Sequence, residues 1–335
     1  MKVALTYNLK KEDNTKPEDY ASEFDSEETI SAIACALRSR GHNVECVEAS
    51  QPNLLAAFRK SRADMVFNIA EGEKGKYRES EIPAILDFLG IPYTGSGTLS
   101  LAVALNKALT KKILKADNIP TPAFQLFTTG KEILDPRLKF PLIVKPNFEG
   151  SAKGINRSNV VENQEGLYLK ARELINVYQQ EALVEEFIEG KELTVGILEN
   201  GTCSVLPILE IDFSTCRKSG EFFYTWRMKE FQGDHKQGLT PTFHCPARLD
   251  SQTEKLIKDT AVRTHRAVGC YGISRTDIRL SKDNIPYVLE INPLPGLNPK
   301  ESNFPIMAYA AGMKYDDIIE AILMSAFEKR KAENA

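Results

Sequence analysis

The sequence predicts a mixed α/β protein with α+β character, on three observations. Its first hundred residues alternate short apolar strands with amphipathic helical runs, the pattern of a parallel sheet covered by helices. Its later strands fall in adjacent pairs, over Ala182 to Leu198 and Gly272 to Asn292, each pair interrupted by a short polar turn. Its 335 residues are 42% hydrophobic, enough for about two or three compact units that need no disulfide staples.

Lys2 to Tyr7 reads as a buried strand and Asn8 to Asp19 as a polar loop. From Ser26 to Arg40, Ile30, Ile33, Ala34 and Leu37 recur at helical spacing, and Gly41 supplies a stop. Val44 to Val47 and Met65 to Ile69 are further strands, with a helix near Leu54 to Lys60 between them. Residues 1–100 are thus expected to form one α/β domain, and the turn-rich GIPYTGSG (90–97) marks its boundary. A helix is expected over Thr98 to Ala116. The strand FPLIVKP (140–146) ends at its proline, the loop NFEGSAKG (147–154) follows, and then a helix over Gln164 to Tyr178. Ala182 to Leu198 gives two strands joined at Glu189-Gly190, where a central unit (101–193) passes into a C-terminal one (194–335). Residues 214–240 are long, polar and aromatic without a clear period, the mark of a functional lid or of disorder. A helix near Ser251 to Val268, two strands and terminal helices complete the chain.

The net charge of −3 excludes broad electrostatic attraction to nucleic acid or membranes. None of the four histidines has metal-ligand spacing to a cysteine. The six cysteines include no C-x-x-C pair and are expected to be mostly buried free thiols. The apolar run in MKVALTYNLKK is too short for a signal peptide, and no stretch approaches a membrane span. A cytoplasmic location is expected.

The strongest chemical signal lies in GISRTDIRLSKDNIPYVLEIN (272–292). Period two sets Tyr287, Leu289 and Ile291 against Val288, Glu290 and Asn292, and puts Arg275 and Asp277 opposite Ile278 and Leu280. If Leu280 pairs with Ile285, Arg275 falls opposite Glu290, and Arg275, Asp277, Glu290 and Asn292 share one face. Two carboxylates and an amide oxygen on a stiff ribbon form a hard-oxygen site suited to Mg²⁺ with substrate phosphates. Arg275 beside them suits developing phosphate or oxyanion charge. A solvated face with an ordinary cross-strand ion pair explains the same residues. A second signal is Lys145 at a strand end, followed by Gly150, Ser151, Ala152, Lys153 and Gly154. Such a loop can bring backbone N–H groups to phosphate oxygens, although a plain turn is the commoner explanation. Lys107, inside a helix, reads as a surface lysine.

Taken in order, GIPYTGSG, LNKALTK, IPTPAF, LIVKPNFEGSAKGI, LVEEFIEGKELTVGIL, GISRTDIRL and LEINPLPGL resemble the D-alanine–D-alanine ligases over most of the chain from about Val66 to Tyr309. The resemblance implies an ATP-grasp fold with an N-terminal Rossmann-like α/β domain, ATP held between two sheets, and two Mg²⁺ ions, with Mn²⁺ as a substitute. By position, it implies that Lys107 and Lys145 meet phosphates and that Glu149 to Gly154, with Gly150 and Ser151, close over them. Glu185, Glu186, Phe187 and Ile188 match the adenine-binding linker and Glu192 the ribose acceptor. Asp277, Glu290 and Asn292 match the metal ligands. Arg275, Ser151 and Lys229, the last in the flap over 214–240, match catalytic positions. The implied reaction phosphorylates a carboxylate and lets an amine displace the phosphate, with positioning and water exclusion as the protein's tasks. Implied partners are a small acid and a small amine, amino acids among them, and a second copy in a homodimer.

The sequence departs from the family where substrates are met. The glycine-rich G-G-x-S-x-E stretch is replaced by YNLKKEDNTKPEDYASEFDSEET (7–29), in which Glu23, Asp25, Ser26 or Glu27 would take over, or simply cap a helix. The family's H-G-x-x-G-E-D-G reads Glu71-Gly72-Glu73-Lys74-Gly75-Lys76-Tyr77-Arg78-Glu79. Gly296 and Ser302 remain as substrate candidates beside Glu23, Glu71 and Arg78. The same reaction on a substrate other than D-alanine is the first expectation, with Lys76 and Arg78 suiting an anionic one. The alternatives are an authentic D-alanine–D-alanine ligase, a nucleotide-binding protein without ligation, and a kinase that stops at the phosphorylated acid.

Overall fold

Three sheets carry the chain, and the computed structural model describes residues 1–11, 15–216 and 219–333. Residues 12–14 of the first expected loop, 217–218 of the expected flap and 334–335 lie outside the described residues.

The first sheet is parallel, ordered β2-β1-β3, from β1 (Lys2–Tyr7), β2 (Asn43–Glu48) and β3 (Met65–Asn68). Alternation along β1 sends Val3 and Leu5 to one core and Ala4 to another. Between β1 and β2 runs α1 (Glu27–Ser39), which buries Ile30, Ile33 and Leu37 against Val3 and Leu5. Ser26 caps it, its hydroxyl accepting from the Thr29 N–H at 3.3 Å, and Glu27 and Glu28 complement the helix dipole. On the opposite face, α2 (Leu54–Ser61) and α3 (Glu81–Leu89) bring Phe58 and Leu86 against Ala4 and Val66.

The single helix expected over Thr98 to Ala116 is two, α4 (Thr98–Leu105) and α5 (Lys107–Ala116). Asn106 breaks it with an extended backbone at φ −85° and ψ 90°, and its side chain accepts from the Leu109 N–H at 3.0 Å as the cap of α5. Asn147 Nδ2 also donates to that oxygen at 3.1 Å. The break puts Lys107 in the first turn of a new helix instead of mid-helix on a surface. Replacing Asn106 with alanine is expected to cost about 1 kcal/mol in urea unfolding, with no change in the urea m-value.

The second sheet is antiparallel, ordered β4-β7-β5-β6, from β4 (Phe124–Phe127), β5 (Leu142–Pro146), β6 (Val160–Val161) and β7 (Ala182–Glu186). α6 (Gln164–Tyr178) covers it, packing Leu167 and Leu174 on Phe127, Val144 and Val184. The third sheet is antiparallel and begins with β8 (Gly190–Asn200), β9 (Thr202–Val205) and β10 (Leu209–Asp212). After α7 (Trp226–Glu230) come β11 (Thr242–His244), α8 (Ser251–Ala267), β12 (Ile273–Ser281) and β13 (Pro286–Asn292), in the order β11-β10-β8-β12-β13 with β9 on β8. α9 (Asn303–Ala310) and α10 (Tyr315–Glu333) close the chain. The two strands expected around Glu189-Gly190 therefore belong to different sheets, with Phe187 to Glu189 as the connection. Gly190, at φ 151°, lies where a Cβ would stand 1.9 Å from the Leu280 carbonyl oxygen.

Three expectations are corrected. On the hairpin, Arg275 faces Asn292 and Asp277 faces Glu290, and a bulge between Asp277 and Ile278 shifts the register so that Leu280 faces Pro286. Leu289 is the extra residue, so the expected alternation fails there: Val288 and Ile291 are both buried, and Leu289 joins Glu290 and Asn292 on the cavity side. Of the cysteines only Cys216 and Cys270 are buried, while Cys35 and Cys46 are exposed; all six are free. The 214–240 region has structure, including a 3₁₀ turn at Ser214–Cys216, α7, and a small core of Cys216, Met228 and Leu239. Among the described residues no helix is long and apolar enough to cross a membrane.

Candidate active site

A cavity of about 570 Å³ opens where the three sheets meet. The C-terminal edge of the parallel sheet, the face of the second sheet and the β12–β13 ribbon wall it, and α7 lies over it. Of the candidates named from the sequence, Glu27, Lys76, Arg78, Lys153 and Gly154 do not line this cavity, and the other site candidates do.

At one end, β5 delivers Lys145 and β7 delivers Glu185, because antiparallel pairing sets Ile143 against Glu185 and Lys145 two residues along the same face. The Lys145 ammonium donates to Glu185 Oε1, and Lys111 Nζ lies 2.8 Å from Oε2. Glu185 is 1% exposed. Burial pushes its pKa up, but the two ammonium groups outweigh it and the net shift is downward. Burial brings Lys111 down to about 8 despite Glu185. Lys111 was not singled out from the sequence, although it stands one helical turn after Lys107. Lys107, expected on the surface, is only 7% exposed, with Nζ 2.8 Å from Glu290 Oε2 and donating to the Glu149 carbonyl at 2.7 Å.

The ribbon sets Asp277 beside Glu290 and Arg275 beside Asn292. Arg275 grips Asp277 through Nε at 2.9 Å and Nη2 at 2.7 Å, and the Thr194 hydroxyl donates to Asp277 Oδ1 at 2.6 Å. Asn292 Nδ2 donates to Asp277 Oδ2 at 3.2 Å. Burial opposes ionisation of Glu290, yet Lys107, Lys145 and Arg275 hold its pKa at about 2. Among the described residues no three His, Cys, Asp or Glu side chains form a metal cluster. A third oxygen, that of the Asn292 amide, could join the two carboxylates. Two carboxylates and one amide oxygen fit Mg²⁺, a hard ion that takes few protein ligands and completes its shell with phosphates and water.

Phe187 and Ile188 form an apolar recess beside the connection between sheets. Phe187 meets Phe222 and Phe223 edge-on at 5.6 and 5.7 Å, and the Arg279 guanidinium lies over its ring at 5.1 Å. Arg279 is also 3.3 Å from Glu192, which accepts the Tyr224 N–H at 3.3 Å. Glu186 lines the recess, with Oε1 accepting from the Lys139 N–H at 3.3 Å. Arg279 and Tyr224 were missed because a lone arginine on a strand and a tyrosine in an aperiodic loop carry no motif.

The glycine loop, the flap and the N-terminal segment meet over the cavity. Lys229 Nζ donates to Ser151 Oγ at 2.5 Å and to the Ser22 carbonyl at 3.1 Å; Trp226 Nε1 donates to Ser22 Oγ at 2.7 Å. Gly150 N–H donates to Glu23 at 2.6 Å, and Lys153 pairs with Glu149 at 2.6 Å. These links join three distant segments over the cavity.

At the other end, Glu23 is paired with Arg78 at 2.6 Å, and Arg78 also reaches Glu149 at 3.2 Å and the Phe148 carbonyl at 2.8 Å. Lys76 pairs with Glu181 at 2.8 Å. Both cations expected to favour an anionic substrate are thus neutralised within the protein, and Arg78 does not face the cavity. Its role here is to hold Glu23 and the glycine loop. Gly296 packs close to Ser302, whose hydroxyl accepts the Asn298 N–H at 3.0 Å. Glu71 lies beside Asp25 and Glu79, and burial together with those neighbours drives its pKa well above the usual carboxylate range.

A family model described as D-ala D-ala ligase C-terminus matches residues 113–324. The chain is 34% identical over 313 residues to a D-alanine–D-alanine ligase of Carboxydothermus hydrogenoformans, covering 90% of this chain and 94% of that one. It is 33% identical over 299 residues to the uncharacterized protein y4sG of Sinorhizobium fredii, covering 87% and 85%. Among solved structures it resembles D-alanine–D-alanine ligase from Bacillus anthracis complexed with ATP, at a TM-score of 0.77 and 23% identity, covering 99% of each chain.

Proposed function

Since this chain belongs to the D-alanine–D-alanine ligase family, we propose that it joins a carboxylate to an amine through an acyl phosphate, on amino-acid substrates. It is an ATP-dependent, ADP-forming ligase. The observation that carries the finer reading is the convergence of Lys107, Lys145, Arg275, Asp277, Glu290 and Asn292 at one end of one cavity.

In this reading the adenine lies against Phe187 and Ile188, Glu192 accepts from the ribose, and Lys107 and Lys145 face the phosphates. Asp277, Glu290 and Asn292 would hold Mg²⁺, or Mn²⁺ in its place, which neutralises phosphate charge. The γ-phosphoryl group moves to a carboxylate oxygen of the acid, releasing ADP. The neutral amine nitrogen then attacks the carbonyl carbon, the C–N bond forms, and phosphate leaves with the C–O bonding pair while the nitrogen loses one proton. Arg275 steadies the anionic oxygens in both steps. The cover of Ser151, Trp226 and Lys229 keeps water from the activated acid. A homodimer belongs to the same proposal.

The test is an ADP-release screen of amino acids singly and in pairs, with mass spectrometry of the products. The expected result is ADP formed in step with a product whose mass is the sum of acid and amine less one water. A phosphorylated acid accumulating without a condensed product would favour a kinase. ATP turnover indifferent to every pair would exclude ligation.

A further inference from the structure

The segment 7–29, which replaces the family's glycine-rich stretch, carries a buried acid to which the ligation chemistry gives no task. Successive turns run through it, with the N–H groups of Tyr20, Ser22 and Phe24 donating to the carbonyls of Pro17, Asp19 and Ala21. Asp19 is only 7% exposed. Its Oδ2 accepts the Gly154 N–H at 2.8 Å and the Tyr178 hydroxyl at 2.5 Å. Tyr178 is the last residue of α6. Burial, together with Asp19, raises its pKa above the ordinary value, so the hydroxyl stays a donor.

Gly154 ends the glycine loop (147–154) and is gripped on several sides. Its carbonyl accepts from Asn159 Nδ2 at 2.7 Å, and a Cβ on it would stand 2.7 Å from Pro146 and 2.8 Å from Tyr178. The start of the loop is held by Gln180, which accepts the Phe148 N–H at 2.6 Å and donates to Glu149 at 2.7 Å. Between these anchors, Ser151 and Ala152 are consecutive non-glycine residues at φ 53° and 57°. Such backbone persists only where its surroundings over-determine it. Both residues line the cavity. Asn159 and Gln180 belong to the loop's own unit, whereas Asp19 reaches Gly154 from 135 residues away.

We propose that Asp19 is a positioning residue for nucleotide binding, holding the glycine loop over the cavity through Gly154 while Tyr178 orients its carboxylate. The proposal rests on the reading above that this loop meets the phosphates. A loop already ordered spares the nucleotide the entropy of ordering it. Without the Asp19 contact the loop samples other conformations, and affinity falls with the fraction still in place.

The test uses the full chain with Mg²⁺ and a non-hydrolysable ATP analogue. Isothermal titration reads affinity, and acrylamide quenching of Trp226, the single tryptophan, reads the loop. Trp226 shares a recess of about 240 Å³ with Asp19, Gly154 and Tyr178, and its backbone N–H donates to the Ile155 carbonyl at 3.0 Å. Asp19→Ala should weaken binding of the analogue about 10-fold, the range of one buried hydrogen bond. It should also raise quenching in the free chain, and bound analogue should reverse the rise. Asp19→Asn, which keeps an acceptor oxygen, should stay within about threefold of the parent. Tyr178→Phe should weaken binding in the parent and add nothing in the Asp19→Ala chain, because the hydroxyl acts through Asp19. A lower melting temperature with unchanged affinity and quenching would make Asp19 a stability residue alone and overturn the proposal. Tighter binding by Asp19→Ala would overturn it as well. If Asp19→Ala does not fold, Tyr178→Phe decides, and parent affinity in that variant overturns the proposal. Equal affinities throughout would leave the ligase reading standing, whereas a parent chain that does not bind the analogue would remove both.

Discussion

Asp277→Asn is expected to lower the rate of ADP formation by about 10²- to 10³-fold while leaving the fold intact. The change keeps the shape of the side chain, so the Thr194 hydroxyl keeps an acceptor at 2.6 Å from its present position. It removes the carboxylate that Arg275 grips with two nitrogens, one of the two proposed to face the phosphates. With Glu290 the one carboxylate left in the set, the half-saturating Mg²⁺ concentration should rise along with the loss of rate. Initial rates across a Mg²⁺ titration at saturating ATP check both effects. A variant with normal turnover and unchanged Mg²⁺ dependence would take Asp277 out of the site.

Glu185→Ala should reduce the unfolding free energy by about 3–5 kcal/mol, the range seen when one partner of a buried ion pair is removed. Glu185 lies between Lys111 and Lys145 and is 1% exposed, so its loss leaves two ammonium groups without a counter-charge. The deficit has a sign in pH. Burial already places Lys111 at about 8, below the range of an exposed lysine, and removal of Glu185 lowers it further. The unfolded variant then binds more protons than the folded one, so its stability rises with pH. The gap from the parent chain should be widest where Lys111 is protonated in both folded chains and narrow as pH rises to about 8, above which Lys111 is neutral in both. Urea unfolding at several pH values checks this. A gap that is constant or widens with pH would mean the lysines are solvated in the variant.

Much of this site was legible in the sequence because it sits on regular strands. Period two paired Arg275 with Asp277 and Glu290 with Asn292; their sharing one face was conditional on Leu280 pairing with Ile285, and the structure brings the four together through a different register. The register was not legible. The bulge at Leu289 is a backbone event without a glycine or proline to announce it, and it exchanged the expected partners of Arg275. Periodicity by itself read Lys107 as a surface lysine for a similar reason, since nothing in it distinguishes such a lysine from one held by a break at Asn106; only the family resemblance assigned Lys107 to the site. Lys111, Arg279 and Asp19 acquire their meaning only from partners distant in the chain. Arg78 shows the reverse. Its charge looked available in the sequence, and the fold spends it on Glu23 and Glu149.

The central claim, that a carboxylate is activated by phosphorylation and then captured by an amine, is tested most directly by oxygen tracing. With a substrate acid labelled with ¹⁸O in its carboxylate, each turnover should deliver one labelled oxygen to inorganic phosphate, seen by phosphorus NMR or mass spectrometry. Phosphate released without label, while a condensed product forms, would contradict the acyl-phosphate route.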